Sequence, residues 1–171
     1  MSNIKKKLAK VKTGFTLIEL LVVVSIMALL IGSGIASYLK FNGKQLLLKD
    51  AQTVQYLIES ARVGVQTGDL ANENCVSLEG YQIEAQAGAS TITLSVLCKD
   101  SLNVSQKITL NNEILNANTS FLSAINMIFR PLSKGVEGAS QIELISQDGY
   151  LYTFKVGGGG AISAGDLSTI P

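Results

Sequence analysis

Hydrophobic positions fall along this chain in three successive patterns. Residues 15–39 carry one charge, Glu19, and residues 20–39 form an uncharged run that is apolar on every side. At about 1.5 Å per residue, a helix over that run spans roughly 30 Å, the thickness of a bilayer core. A buried helix of a soluble domain is normally shorter and polar on one face, which this run is not. The second pattern is a stripe: Leu47, Ala51, Val54, Ile58, Ala61 and Val65 recur every three or four residues, with Lys49, Gln52, Gln55, Glu59 and Arg62 off it. No proline interrupts the chain between Met1 and Arg130. The spacing therefore predicts one helix from about residue 15 to about residue 65, roughly 75 Å long. Its first half is soluble in lipid and its second half is laid by the stripe on a sheet. Gly32, Gly34 and Gly43 are the places where this helix can loosen or pack closely on a neighbour.

After Gly68 the pattern shortens to β-like runs at 75–78, 81–85, 91–98, 104–110, 120–129, 141–146 and 150–156. Residues 91–97 (Thr-Ile-Thr-Leu-Ser-Val-Leu) alternate cleanly, so one face of that strand is buried. Gln147-Asp148-Gly149-Tyr150 sits between two alternating runs and reads as a hairpin, with Gly149 supplying the positive φ of a type I′ turn. Short strands without intervening helices imply antiparallel pairing. The expected fold class is α+β: a long N-terminal α-helix with a C-terminal antiparallel β-sheet domain.

Charge sharpens the N-terminal reading. The 171 residues carry 14 Lys or Arg and 13 Asp or Glu, nearly neutral on average. Lys5, Lys6, Lys7, Lys10 and Lys12 nevertheless crowd the start, where there is no acid. Without the first fourteen residues, nine basic groups face thirteen acidic ones, a formal −4. Lysines on that flank keep residues 1–14 cytoplasmic and send the rest across, by the positive-inside rule. A secretory signal peptide, cut near Gly34-Ile35-Ala36 to release a domain starting at Ser37, is the competing reading. The apolar run is long for that role. Glu19 argues against it too, because an acid at the centre of a membrane helix costs about 2.5–3.5 kcal/mol and calls for compensation.

The residues Lys12-Thr13-Gly14-Phe15-Thr16-Leu17-Ile18-Glu19-Leu20-Leu21-Val22-Val23 resemble the processing site of the type IV pilin and pseudopilin superfamily. The family pattern is a basic leader ending in Gly, then Phe, three residues, Glu and a long apolar helix. The resemblance implies a type IV pilin-like fold, cleavage by prepilin peptidase between Gly14 and Phe15, and N-methylation of Phe15. It also implies that Glu19 meets the N-terminal amine of a neighbouring subunit during assembly, which neutralises the charge in lipid and sets the stagger between subunits. The proline that many major pilins carry in this helix is absent. Farther on, Phe129-Arg130-Pro131-Leu132-Ser133-Lys134-Gly135, the strand at 141–146, the hairpin to 156 and the glycines at 157–160 are similar to the end of H-type minor pseudopilins and FimT-like minor pilins. The spacing to Gly135 is longer here than in the common form.

The resulting organisation is a cleaved leader at 1–14, a transmembrane and assembly half-helix at 15–39, an amphipathic half-helix at 40–66 and an exported β domain at 67–171. The partners implied are prepilin peptidase, other pilin or pseudopilin subunits, an inner-membrane assembly platform and the membrane. Location follows as the bacterial inner membrane, single-pass with the N-terminus cytoplasmic, then the periplasm or cell surface after assembly.

Cys75 and Cys98 both lie in the exported part. They form either a disulfide closing a loop of 22 intervening residues, adding about 3 kcal/mol, or two buried free thiols. Without any histidine there is no Ser-His-Asp or Cys-His nucleophile pair and no usual four-ligand zinc site. No cofactor, metal or catalytic residue is expected. A carboxylate hydrolase would need paired acids, for which Glu79 with Glu84 and Glu137 with Glu143 are the candidates by residue type alone. Residues 157–160, four glycines, lack the Lys-Ser/Thr and the helix of a phosphate loop and read as a turn. Nucleic-acid binding has a small footprint, since Arg130, Lys134 and Lys155 are the only basic residues after Lys107. The sequence thus points to a minor pilin or pseudopilin, a structural subunit of a type IV pilus, type II secretion pseudopilus or competence filament. The alternative is a membrane-tethered or secreted binding domain outside any filament.

Overall fold

The computed structural model describes residues 14–70, 75–131, 135–138 and 141–170, with 32–37 described by backbone alone. The basic leader up to residue 13 lies outside the described residues, as do 132–134 of the Phe129–Gly135 turn and the surroundings of Gly32 and Gly34. Two compact units make up the chain, Met1–Leu39 and Lys40–Pro171.

One helix, α1 (Leu17–Thr67), contributes to both. In the first unit every large apolar side chain described, from Phe15 to Ile31, is exposed, on all sides of the helix. Among the described residues no helix is long and apolar enough to cross a membrane. The expected run over 20–39 passes through 32–37, whose side chains lie outside the described set.

In the second unit the stripe is the core. Leu47, Ala51, Val54, Ile58 and Ala61 are buried, Val65 packs at the margin, and Leu57 joins them. Each large aliphatic among them contributes about 1.5–3 kcal/mol by leaving water. The helix closes after Thr67, where the Asp69 N–H donates to the Gly64 carbonyl at 3.0 Å, satisfying a last-turn acceptor.

Among the described residues nine strands follow: β1 (Ser77–Ala85), β2 (Thr91–Lys99), β3 (Ser105–Ile114), β4 (Thr119–Phe121), β5 (Ile125–Arg130), β6 (Gly135–Gly138), β7 (Gln141–Ser146), β8 (Tyr150–Lys155) and β9 (Asp166–Thr169). They form two antiparallel sheets, ordered β3-β2-β1-β5-β6 and β4-β7-β8-β9. The α+β class and the antiparallel pairing match the type IV pilin-like fold. Both sheets send side chains into the helix's core, among them Ile83, Val96 and Met127 from the first and Phe121, Leu144 and Phe154 from the second.

Several expected strands are redrawn. The runs at 75–78 and 81–85 are one strand, β1, continued through a bulge between Leu78 and Gly80. The run at 120–129 is two strands. Phe121 pairs into the four-stranded sheet and Ile125 into the five-stranded one, so the chain changes sheet across 122–124. Phe121, Ile125, Met127 and Phe129 are all buried, so the inward alternation persists through the corner and conceals it. β6 and β9 had no counterpart in the pattern, because they are short, largely exposed edge strands with no apolar alternation.

The hairpin after β7 is also corrected. The Gly149 N–H donates to the Ser146 carbonyl at 3.0 Å and Gly149 alone takes a positive φ, 81°, while Asp148 does not. A type I′ turn needs positive φ at both central residues. This is instead a three-residue loop in which Gln147 and Asp148 turn and Gly149 takes the left-handed position that lets the strands close.

Candidate functional site

The start of α1 is capped by Thr16. Thr16 precedes the first helical residue, and its Oγ1 accepts from the Glu19 N–H at 3.3 Å, while the Leu20 N–H reaches the Thr16 carbonyl at 3.2 Å. The threonine hydroxyl satisfies one of the helix's orphan donors, and the Thr-x-x-Glu spacing places an acid beside the others. The Glu19 carboxylate therefore stands in the first turn, where the helix dipole favours negative charge. It is exposed and has no ion-pair partner among the described residues. Sequence reasoning treated Glu19 as a bare charge awaiting a partner. The Thr-x-x-Glu spacing that signals its second role was legible and was missed.

Gly14 and Phe15 lie just outside the helix, both exposed, and a Cβ added at Gly14 would meet nothing within 4 Å. Among the described residues nothing packs against Gly14. From Gly14 to Ile31 the described residues run as an exposed dipeptide, a cap, an acid in the first turn and a helix whose large apolar side chains are exposed.

Residues 10–35 match the family described as the prokaryotic N-terminal methylation motif. The chain carries a prepilin-type N-terminal methylation motif. The proteins that bear it are type IV pilin-like, processed as prepilins, and are structural subunits rather than enzymes. The motif implies prepilin peptidase as processing partner and other pilin subunits as assembly partners, and it marks a membrane-anchored protein. No curated protein and no solved structure matches the chain.

Away from the motif, the structure brings Cys75 and Cys98 together as a disulfide with Cα atoms 5.6 Å apart. It ties the segment after the helix to the end of β2, and both residues are buried. The candidate acid pairs are not brought together. Glu79 pairs with Lys99 at 3.7 Å, Glu84 with Lys107, and Glu137 with Arg130 at 3.1 Å, while Glu143 accepts from the Gln141 amide at 2.7 Å. Glu137 and Glu143 belong to different sheets. Residues 157–160 form a closed turn, with the Gly160 N–H on the Gly157 carbonyl at 2.8 Å and a bridge from Val156 to Ile162, and a strand follows rather than a helix.

One titratable side chain is clearly perturbed. Burial raises the Tyr81 phenol above its ordinary value of 10.0, and the nearby Asp69 carboxylate raises it further by disfavouring a second negative charge. Its hydroxyl donates to the Asp69 carbonyl at 2.9 Å, tying β1 to the segment that leaves the helix.

Proposed function

We propose that this chain is a minor pilin or pseudopilin, a non-catalytic subunit of a membrane-anchored helical filament of the type IV pilus, type II secretion or competence kind. The observation that carries the reading is the exposed sequence Gly14-Phe15 directly ahead of a capped helix whose first turn holds Glu19 and whose apolar side chains up to Ile31 are uncovered. Prepilin peptidase cuts between Gly14 and Phe15 on the cytoplasmic side and methylates the new amine. Residues 1–14 are the leader, and 15–39 anchor the subunit in the inner membrane with its N-terminus inward. Residues 40–66 carry the β domain of 67–171 outside. During assembly the apolar helix leaves lipid for other helices, where Glu19 accepts the amine of a neighbouring Phe15. A charge with no ion-pair partner among the described residues gains one in the polymer, which makes the carboxylate a device for register. The inner-membrane platform supplies the place of assembly.

N-terminal and intact-mass analysis of the mature protein tests this directly. The expected product begins at N-methyl-Phe15. A chain starting at Ser37 would be a secreted domain, and one retaining Met1 an ordinary anchor; either result overturns the proposal.

A further inference from the structure

Beside its buried stripe, α1 carries a second, uncovered one. Tyr56 and Val63, seven residues apart on one face of the helix, are exposed by 70% and 45%. They border a groove of about 430 Å³ whose other wall is Leu110 of β3 and which Tyr81 also lines. Leu110 reaches this groove because β3 bulges there. Ser95 pairs with Thr109 and Leu94 with Asn111, leaving Leu110 between them without a partner in β2. A bulge at an edge strand re-aims a side chain, and this one adds an apolar wall. The charged groups lining the groove are Glu59 and Asp69, and no Lys or Arg is among them. Glu59 shares its charge with Arg62 at 3.3 Å, yet half of its side chain remains exposed.

The chain itself carries the complementary surface. Lys40, Phe41 and Lys44 stand at i, i+1 and i+4 on α1, so the two lysines share a face with the aromatic beside them. Phe41 is 59% exposed, and neither lysine has an ion-pair partner among the described residues. Lys44 and Tyr56 lie on the same unbroken helix, about 18 Å apart along its axis, so this segment cannot fold onto its own groove. We infer that the groove receives the Lys40–Phe41–Lys44 segment of a second copy, with the aromatic against Tyr56, Val63 and Leu110 and the ammonium groups facing Glu59 and Asp69. The two surfaces differ, so the contact is heterologous, the kind that builds an open helical filament where its rotation does not close into a ring. This inference rests on the filament reading above and adds to it the contact between successive outer domains.

A photo-crosslinking side chain placed at Val63 of the full chain, in cells that make the filament, reads the contact. The expected product is a dimer of this chain, mapped by mass spectrometry to the residues around Phe41. Phe41→Ala combined with Lys44→Glu should abolish it, and Lys44→Glu combined with Glu59→Lys should restore it relative to Lys44→Glu alone. If sheared filaments contain the chain but the probe captures a different polypeptide, another part of the second copy or nothing, the groove contact is overturned and the filament reading stands. If the chain enters no filament, both fall.

Discussion

The ring of Tyr81 lies so close to Gly64 that a Cβ on the glycine would stand 2.6 Å from the Tyr81 Cζ. In an exposed helix, replacing glycine by alanine gains about 1 kcal/mol of propensity. Here the methyl would drive into a ring that is itself held by a hydrogen bond to the Asp69 carbonyl. Gly64→Ala is expected to destabilise the domain by about 1–3 kcal/mol in spite of that gain. Thermal or denaturant unfolding measures the sign, and a stabilised Gly64→Ala protein would show that the ring moves aside.

Tyr81 also sets an alkaline limit. Its folded pKa lies above the unfolded value of 10.0, so the folded state holds the phenolic proton more tightly than the unfolded chain does. That stability is fully present below about pH 10 and is lost as pH rises through the folded pKa. Unfolding free energy should therefore fall with pH in that window, and Tyr81→Phe should remove this part of the fall. An identical alkaline slope in the Tyr81→Phe protein would contradict the assignment.

Asp50 is a carboxylate inside the helix–sheet contact, 7% exposed, and its Oδ2 accepts the Asn116 N–H at 3.1 Å. It anchors the β3–β4 connection, where Leu115 is buried, to the helix. Truncation by Asp50→Ala leaves that N–H unsatisfied and is expected to cost about 1–3 kcal/mol. Amide hydrogen exchange at Asn116 gives a local readout, since its protection should drop more than that of the β2 core amides.

Opening the disulfide should act through the unfolded chain. Cys75 and Cys98 enclose 22 residues that include all of β1, and their release is expected to lower stability by about 3 kcal/mol. Denaturant midpoints with and without reductant, compared with the Cys75→Ser/Cys98→Ser double variant, supply the test. Equal midpoints would mean that the bond contributes nothing to folding.

At the N-terminus, processing and assembly should separate by mutation. Since a Cβ at Gly14 meets nothing, Gly14 replacements should leave the fold unchanged while blocking maturation. Glu19→Ala should mature normally and fail to enter filaments, whereas Thr16→Ala loses only a helix cap worth about 1 kcal/mol. Immunoblots of whole cells and of sheared filaments distinguish the three.

Much of this was legible in local pattern. An uncharged run, an unbroken stripe and the Gly-Phe-x-x-x-Glu order specify a helix and its two environments, because helical periodicity and charge act between residues a few positions apart. Leu47, Val54 and Ile58 announced themselves as core for the same reason. Thr16 as the helix cap beside Glu19 is equally local, since its hydroxyl meets an N–H only three residues on. Other features were beyond local reading. That residues 120–129 divide between two sheets was hidden because Phe121 and Ile125 keep the same inward parity on both sides of the corner. The edge strands at 135–138 and 166–169 exist through hydrogen bonds to β5 and β8 rather than through any pattern of their own.

By itself, then, the sequence determined where the helix runs, which of its faces is apolar and that the chain carries a prepilin-type methylation motif. All of these depend on neighbours in the chain. Tertiary structure alone decided that Cys75 meets Cys98, that Gly64 must stay small beneath Tyr81, and that a bulge turns Leu110 towards Tyr56 and Val63. Each of those joins residues far apart in sequence, and strand pairing and close packing choose such partners only once the whole domain has closed.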